Sequence, residues 1–138
     1  QLLMDLQEEL SKIKNDDSIE TTILIHPDVL QNFFDYNQFL DYADSLLVEM
    51  ELEGDYQIAS FHPDYQFADT EPGAVENFSN KSPYPMLHIL PEDRVTEAIL
   101  TYPDAEKIPE KNREKLRHMG RDKMLELSQA CLMKAAKE

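Results

Sequence analysis

The stretch ILIHPDVLQNFFDY, from Ile23 to Tyr36, decides the expected fold of this chain. Its first residues are apolar and mostly β-branched, which is typical of a short strand in a sheet interior. From Phe33 onwards, apolar residues recur at intervals of three and four, which predicts a long amphipathic helix. A strand that leads directly into a helix favours a fold of the α/β class.

The triplet His-Pro-Asp joins this strand to this helix, and it occurs again after a second strand-like segment. The first copy runs from His26 to Asp28 and the second from His62 to Asp64. In each copy the proline fixes the backbone and turns the chain away from the strand. Asp28 also fits the position of a helix cap, where its side-chain oxygen would accept from a backbone N–H of the first turn.

The order of the elements predicts a small mixed sheet. The chain runs helix, strand, helix, strand, loop, strand and then helices. The first two strands flank a long helix, which favours a right-handed parallel crossover, and a third strand around His88 is expected to return antiparallel. We therefore predict an α/β fold for residues 1–120, with a mixed sheet of about three strands packed with helices. Residues 121–138 are predicted to form an appended basic amphipathic helix.

The composition is that of a single soluble globular domain. The chain has 138 residues, of which 41% are hydrophobic and 30% are charged, and this balance fits one domain with a real core. No window approaches the roughly 18 apolar residues that a membrane span needs. The single cysteine, Cys131, excludes an internal disulfide and makes the cytoplasm the expected compartment. Its apolar neighbours predict that it lies in the core.

Charge is distributed unevenly along the chain. Residues 1–106 carry 23 acids and 4 bases, whereas residues 107–138 carry 5 acids and 9 bases. The acidic body would repel phosphate backbones, which disfavours nucleic acid as a partner over most of the surface. The basic segment is expected to be a solvated helix face, to dock on the acidic body, or to bind an acidic partner.

The two strand-end histidines predict a small-molecule site at one edge of the sheet. Ligands of open α/β sheets bind beyond the carboxyl ends of parallel strands, and both histidines are expected there. An imidazole and a carboxylate together can transfer protons or bind a transition metal. The candidate catalytic residues are His26, His62, Asp64 and Tyr65, and the candidate ligands of a divalent transition metal are His26, His62 and His88.

A long loop from Pro63 to Pro85, which we call the Pro-rich loop, follows the second triplet. It holds four prolines and shows little periodicity. Loops of this length are uncommon in compact domains and are usually functional or mobile. We expect this loop to close over the site as a lid. The candidate binding residues are Asp28, Asn80, Ser82 and Tyr84.

The same residues also have a structural interpretation. A histidine before a proline at a strand end can form a turn in which the imidazole bonds to a backbone carbonyl. Asp28 is sufficiently explained as a helix cap. His88 points opposite to Leu87 and Ile89, so it can be an interior histidine with satisfied hydrogen bonds. The residues alone leave both interpretations open.

Three segments of the chain are similar, in content and order, to one protein family. They are ETTILIHPDVLQNFFDYNQFLDYADSLL, GDYQIASFHPDYQFADTEP and ENFSNKSPYPMLHILPEDRV. They resemble a bacterial family of uncharacterised proteins, domain of unknown function 1415, over a region from about Leu2 to Gly120. The resemblance implies no particular activity. It does imply a longer protein, because members of that family carry a further strand and helix upstream, with a Cys-Pro-Phe segment.

Two functions remain open from the sequence. In the first, the chain is a small-molecule enzyme, a hydrolase or lyase, in which His62 is an acid, base or metal ligand and His26 is its partner. In the second, the chain is a non-catalytic binding or interaction module. Its acidic body or exposed aromatic residues would then bind a partner, and the histidines would brace loops. The sequence predicts neither the substrate nor the oligomeric state.

Overall fold

The computed structural model describes residues 1–137, and it describes side chains as far as Leu132. The helices are α1 (Leu2–Asn15), α2 (Phe33–Glu49), α3 (Glu92–Thr101), α4 (Ile108–Met119) and α5 (Arg121–Lys137). The strands are β1 (Thr22–Ile25), β2 (Tyr56–Phe61) and β3 (Met86–Pro91), and short 3-10 helices span Val75–Ser79 and Ala105–Lys107. These elements confirm the predicted α/β class and the three strands.

Strand β3 lies at the centre of the sheet, between β1 and β2, and runs antiparallel to both. The sheet is therefore antiparallel throughout rather than mixed, and β1 and β2 are not neighbours, although they point in the same direction. Two features explain this strand order. The long Pro-rich loop gives the chain enough length to insert β3 between the earlier strands. The central position also suits the apolar strand β3, in which Leu87 and Ile89 have no exposed surface.

Helices α1 and α2 cover one face of the sheet and form the core with it. Leu6 and Leu10 of α1, Tyr36 of α2, and Leu87 and Ile89 of β3 are fully buried and belong to one hydrophobic cluster. Leu6 and Leu10 are four residues apart, so both point from the same side of their helix. Burying one such leucine contributes about 1.5–3 kcal/mol to folding. The core thus fixes α2, and with it Tyr36, against the sheet.

The other face of the sheet is open within the described chain. Successive side chains of a strand point to opposite faces, so Ile23 and Ile25 point away from the core. They are 53% and 51% exposed. His88 lies on this same face, since it is paired in register with Ile23 of β1 and with Ala59 of β2.

Helix α2 begins at Phe33, later than the predicted start near Asp28. The side-chain oxygen of Asn32 accepts a hydrogen bond from the backbone N–H of Asp35 at 3.1 Å, so Asn32 is the cap that Asp28 was predicted to be. Residues 26–30 instead form a turn, which we call the first turn. Leu30 in this turn has a φ of 59°, a left-handed conformation that is costly for a residue with a Cβ.

Helix α4 packs against the Pro-rich loop, at the short helix Val75–Ser79. The guanidinium Nε of Arg117 lies 2.6 Å from a carboxylate oxygen of Glu76 in the loop. The hydrogen bond from Arg117 lowers the pKa of the Glu76 carboxyl from its ordinary value. At this contact the basic segment, residues 107–138, docks on the acidic body, residues 1–106. Such docking was one of the alternatives that the charge distribution left open.

Helix α5 leaves much of its apolar side uncovered by the described chain. Leu127 and Leu132 are exposed, and so is Cys131. The prediction of a core cysteine is therefore wrong. The division into a domain of residues 1–120 and an appended helix stays a prediction. Among residues 1–137, none of the helices combines the length and the apolar character that crossing a membrane requires.

Candidate functional site

His26 and His62 lie at the same end of the sheet and on its core-facing side. Each follows the last residue of its strand, and side-chain alternation turns both imidazoles towards α2. Both rings pack against the ring of Tyr36, with centroids 6.0 Å from His26 and 4.9 Å from His62. The structure therefore brings the two predicted histidines together around a tyrosine.

The His62 ring is fully buried, and both of its nitrogens are bonded to backbone groups. Nδ1 accepts a hydrogen bond from the Asp64 N–H at 3.0 Å, and Nε2 lies 3.0 Å from the carbonyl oxygen of Leu30. A nitrogen that accepts carries no proton, so Nδ1 is the bare nitrogen and Nε2 donates to the carbonyl. The neutral ring is thereby fixed in one tautomer, and His62 ties its own turn to the first turn.

The His26 ring is 5% exposed and has only one bonded nitrogen. Nδ1 lies 2.8 Å from the carbonyl oxygen of Val29, to which it must donate. Nε2 is buried and has no hydrogen-bond partner in the described chain. Burial is the main cause that lowers the pKa of His26, and the nearby His62 lowers it further.

Tyr36 is the member of this group that the sequence did not single out. Its hydroxyl donates to the carbonyl oxygen of Met86 at 2.7 Å and accepts from the N–H of Phe61 at 3.0 Å, so it joins β2 to β3. Burial raises the pKa of Tyr36 to about 12, so the hydroxyl keeps its proton at neutral pH. The available signal was a tyrosine among apolar helix residues, because a buried tyrosine hydroxyl needs a partner.

His88 lies apart from the other two histidines, on the opposite face of the sheet. Its Nε2 is bonded to the hydroxyl of Thr21, which in turn donates to the carbonyl oxygen of Ile89 at 2.8 Å. Burial lowers the pKa of His88. Within residues 1–137 no three His, Cys, Asp or Glu side chains are grouped so that they could hold a metal ion. The predicted three-histidine metal site is thus not formed.

The remaining catalytic candidates hold the turn that follows β2. Asp64 contributes its backbone N–H to His62, while its carboxylate is on the exposed surface. Tyr65 is half-buried, with its ring centroid 5.4 Å from that of Phe33 and 5.0 Å from that of Phe67. The catalytic roles predicted for His26, His62, Asp64 and Tyr65 stay predictions.

The predicted binding residues fall into two groups. Asp28 is an exposed residue of the first turn. Ser82 donates its hydroxyl to the carbonyl oxygen of Tyr84, a bond that fixes the chain just before β3. Asn80 differs from these, because it donates to the carbonyl oxygen of Ser60 at 3.0 Å and also lines a cavity.

This cavity, of about 690 Å³, lies between the Pro-rich loop and α4. Its walls bring polar and charged groups together with a few apolar ones. Asp69 and Glu76 come from the loop, and Arg113 and Arg117 come from the helix. The other lining residues are Phe67, Thr70, Ala74, Ser79, Asn80, Pro109 and Asn112.

Asn77, which the sequence did not single out, fixes the loop wall of the cavity. It is fully buried, and its side-chain oxygen accepts from the Phe67 N–H at 3.0 Å and from the Thr70 hydroxyl at 2.9 Å. Its amide nitrogen donates to the carbonyl oxygen of Glu71 at 3.0 Å. A buried amide with all these bonds holds the loop in one conformation. The loop is thus structured internally, which its lack of periodicity concealed.

Comparison with known proteins places the chain in a family. The family model described as "Protein of unknown function (DUF1415)" matches residues 1–126, and so reaches into α5. No curated protein matches the chain, and no solved structure matches it. The match covers nearly the whole chain and confirms the resemblance found in the sequence. The chain belongs to the DUF1415 family.

Proposed function

We propose that this protein is a non-catalytic binding protein for small zwitterionic molecules, and that its ligand occupies the cavity between the Pro-rich loop and α4. In this proposal the His-Pro-Asp turns hold the loop in place. The single observation that carries the proposal is the cavity itself, with carboxylates on one wall and guanidinium groups on the other.

The size of the cavity supports a small-molecule ligand. Ligand pockets are clefts of about 300–1,000 Å³ that combine apolar lining with a few placed polar groups. The cavity has a volume of about 690 Å³, and its apolar lining comes from Phe67, Ala74 and Pro109. A ligand with an apolar body and polar ends would match these walls.

The charges of the lining support a ligand that carries both signs. Arg117 and Glu76 neutralise each other at 2.6 Å. Arg113 is bonded to Glu110 on its own helix, through Nη2 at 2.6 Å and through Nε at 2.9 Å. The Nη1 of Arg113 makes no hydrogen bond within the described side chains, and neither does the carboxylate of Asp69. A ligand could therefore place a carboxylate at Arg113 and an ammonium at Asp69.

The bonding of His62 supports a binding role rather than a catalytic one. A general base needs a ring nitrogen that can reach the proton of a substrate. Both nitrogens of His62 are bonded to backbone groups in a fully buried ring. Its bonds reach Asp64 at the start of the Pro-rich loop and Leu30 in the first turn, which is the role of a brace.

Three related probes test the ligand class by isothermal titration calorimetry. L-phenylalanine carries the ammonium, the carboxylate and an apolar body. N-acetyl-L-phenylalanine lacks the ammonium, and L-phenylalaninamide lacks the carboxylate. We expect the amino acid to bind and each derivative to bind about tenfold more weakly, since one charge-assisted hydrogen bond contributes about 1.5–3 kcal/mol.

A pair of matched variants tests the location. Arg113→Gln removes a guanidinium that lines the cavity, whereas Arg94→Gln removes one that lies on α3, away from it. We expect Arg113→Gln to weaken L-phenylalanine binding about tenfold and Arg94→Gln to leave it unchanged. Equal effects of the two variants, or absence of binding by all three probes, would contradict the proposal.

A further inference from the structure

The two imidazoles are bonded to neighbouring carbonyls of one short turn. His26 donates to the carbonyl oxygen of Val29, and His62 donates to that of Leu30. The first turn therefore holds both rings, one from β1 and one from β2. Any change that opens this turn at His26 also displaces the carbonyl to which His62 is bonded.

His62 carries this connection onward to the Pro-rich loop. Its backbone N–H donates to the carbonyl oxygen of Asn80 at 3.1 Å, and its own carbonyl accepts from the Ser82 N–H at 3.4 Å. Its Nδ1 accepts from the N–H of Asp64. The residue thus contacts both the start and the return of the loop, including Asn80 in the cavity wall.

We propose that the first turn, residues 26–30, is a proton-controlled latch: protonation of His26 opens the turn, releases His62 from Leu30 and loosens the Pro-rich loop. As a control of ligand binding, the latch rests on the proposed function, because the loop forms one wall of that cavity. The effect of the latch on the loop itself does not depend on the proposed function, because it follows from the hydrogen bonds of His26 and His62.

Protonation of His26 is expected to open the turn because its buried Nε2 has no hydrogen-bond partner in the described chain. The neutral ring places a bare nitrogen there, which has no partner within the described chain. Protonation would add an N–H to this buried position and give the ring a full charge. A buried charge without a partner is costly, so the charged ring is stable only after it reaches water. Leaving the site breaks its bond to Val29.

Among the described residues, only backbone carbonyls, chiefly that of Val29, favour the charged form of the His26 ring, and burial outweighs them. The titratable groups that face it are Tyr36 from α2 and His62 from the turn after β2. The Tyr36 hydroxyl is already engaged with β2 and β3, and His62 lowers the pKa of His26. No carboxylate forms an ion pair with His26 in the described part of the chain. The strained φ of Leu30 also favours opening, since its left-handed conformation persists only while the turn is held.

Hydrogen exchange of the Pro-rich loop, read by mass spectrometry without any ligand, tests the latch. Rates are corrected for the intrinsic pH dependence of exchange. Between about pH 7.5 and about pH 5.5 we expect the protection of the loop amides to fall by up to about tenfold, because one proton is taken up on opening. The amides of α1 serve as an internal reference.

His26→Asn is the matched variant, because the asparagine amide can donate to Val29 in place of Nδ1 but does not titrate. We expect it to remove the pH dependence of loop protection. The control His118→Asn removes a histidine that is exposed on α4, and it should behave like the unaltered protein. A variant at His26 that keeps the full pH dependence would overturn the latch.

Ring NMR of the unaltered protein gives a second measurement that does not depend on the variant folding. The titration of the His26 ring should coincide with loop opening, and a loop that stays protected after His26 is protonated would also overturn the latch. These outcomes are separate from the ligand test, which is performed at about pH 7.5, where His26 is neutral and the latch closed. Failure of L-phenylalanine to bind therefore leaves the exchange result unaffected.

Discussion

The two His-Pro-Asp turns have the same three residues and differ in how their histidines are bonded. His62 has both ring nitrogens bonded to backbone groups and no exposed surface. His26 is also buried, but it is bonded only through Nδ1. The difference lies in the backbone group that each turn presents to its histidine ring. The turn at His62 presents the N–H of Asp64 to its own ring, whereas the turn at His26 presents a carbonyl.

This difference shows that a repeated motif does not imply a repeated role. The Val29 carbonyl of the first turn accepts a hydrogen bond from Nδ1–H of His26, so Nε2 of that ring carries no proton, whereas the Asp64 N–H of the second turn donates to Nδ1 of His62, so the proton of that ring lies on Nε2. The two rings are thus expected in opposite tautomers. The His62 ring has both nitrogens bonded and holds its turn in place. The His26 ring also holds its turn, but its unbonded Nε2 can take up a proton.

The largest effect is expected from His62→Ala. This change leaves the Leu30 carbonyl and the Asp64 N–H without partners and creates a buried space, so we expect a loss of about 3 kcal/mol in the free energy of unfolding. His26→Ala should cost about half as much, because only one hydrogen bond is lost. Urea unfolding at about pH 7.5, followed by circular dichroism, measures both. Equal costs for the two variants would remove the distinction between the turns.

Tyr36→Phe should have the next largest effect. The change keeps the ring against which both histidines pack but removes its hydroxyl, and so leaves the Phe61 N–H and the Met86 carbonyl without their bridge. We expect a loss of about 2 kcal/mol in the free energy of unfolding. Tyr42→Phe is the control, since Tyr42 lies on the same helix and is 65% exposed, and it should cost less than about 0.5 kcal/mol. Similar losses of stability for Tyr36→Phe and Tyr42→Phe would show that the hydroxyl bridge between β2 and β3 does not stabilise the fold.

A smaller effect is expected from pH. The pKa of His26 in the folded protein lies below the ordinary value of about 6.5, so the unfolded chain binds the proton first as pH falls. The contribution of His26 to stability should therefore be complete above about pH 6.5 and should be lost progressively as the pH falls below it. His88 acts in the same direction, because burial lowers its pKa as well.

The variants His26→Asn and His88→Gln separate the two contributions. Each should reduce the loss of stability between about pH 7.5 and about pH 5.5, and only His26→Asn should also change the exchange of the Pro-rich loop. Urea unfolding at a series of pH values provides the comparison. Stability that rises on acidification in this window would contradict the assigned direction for His26.

The smallest effect is expected from the aspartates of the two triplets. The carboxylates of Asp28 and Asp64 are exposed and make no hydrogen bond within the described side chains. Replacing either by asparagine should change the free energy of unfolding by less than about 0.5 kcal/mol. A loss above about 1 kcal/mol for Asp64→Asn alone would show that its carboxylate, and not its N–H, orients His62.

Much of the fold follows from local patterns in the sequence. The apolar, mostly β-branched residues before His26 and the spacing of apolar residues after Phe33 predicted β1 and α2, and both are present. The strand order did not follow, because the position of β3 depends on a contact across the whole Pro-rich loop. The start of α2 was misplaced because Asp28 and Asn32 are both good caps. In the structure the chain is left-handed at Leu30, between these two residues, and Asn32 caps the helix.

The sequence predicted the position of the two histidines better than it predicted the bonding of their rings. Two strand-end histidines were expected to lie together, and Tyr36 does bring them together. Which ring nitrogen is bonded depends on the carbonyls and N–H groups of a turn, and those directions are not visible in residue types. The cavity beside α4 was missed except for Asn80, since its arginines come from a helix far along the chain.

The most direct test of this account is the tautomer of each histidine, read from the ¹⁵N shifts and couplings of the ring nitrogens at about pH 7.5. We predict that His26 carries its proton on Nδ1 and His62 carries its proton on Nε2, with both rings neutral. Finding the same tautomer in both rings, or rapid exchange between tautomers in either, would contradict the difference between the two turns.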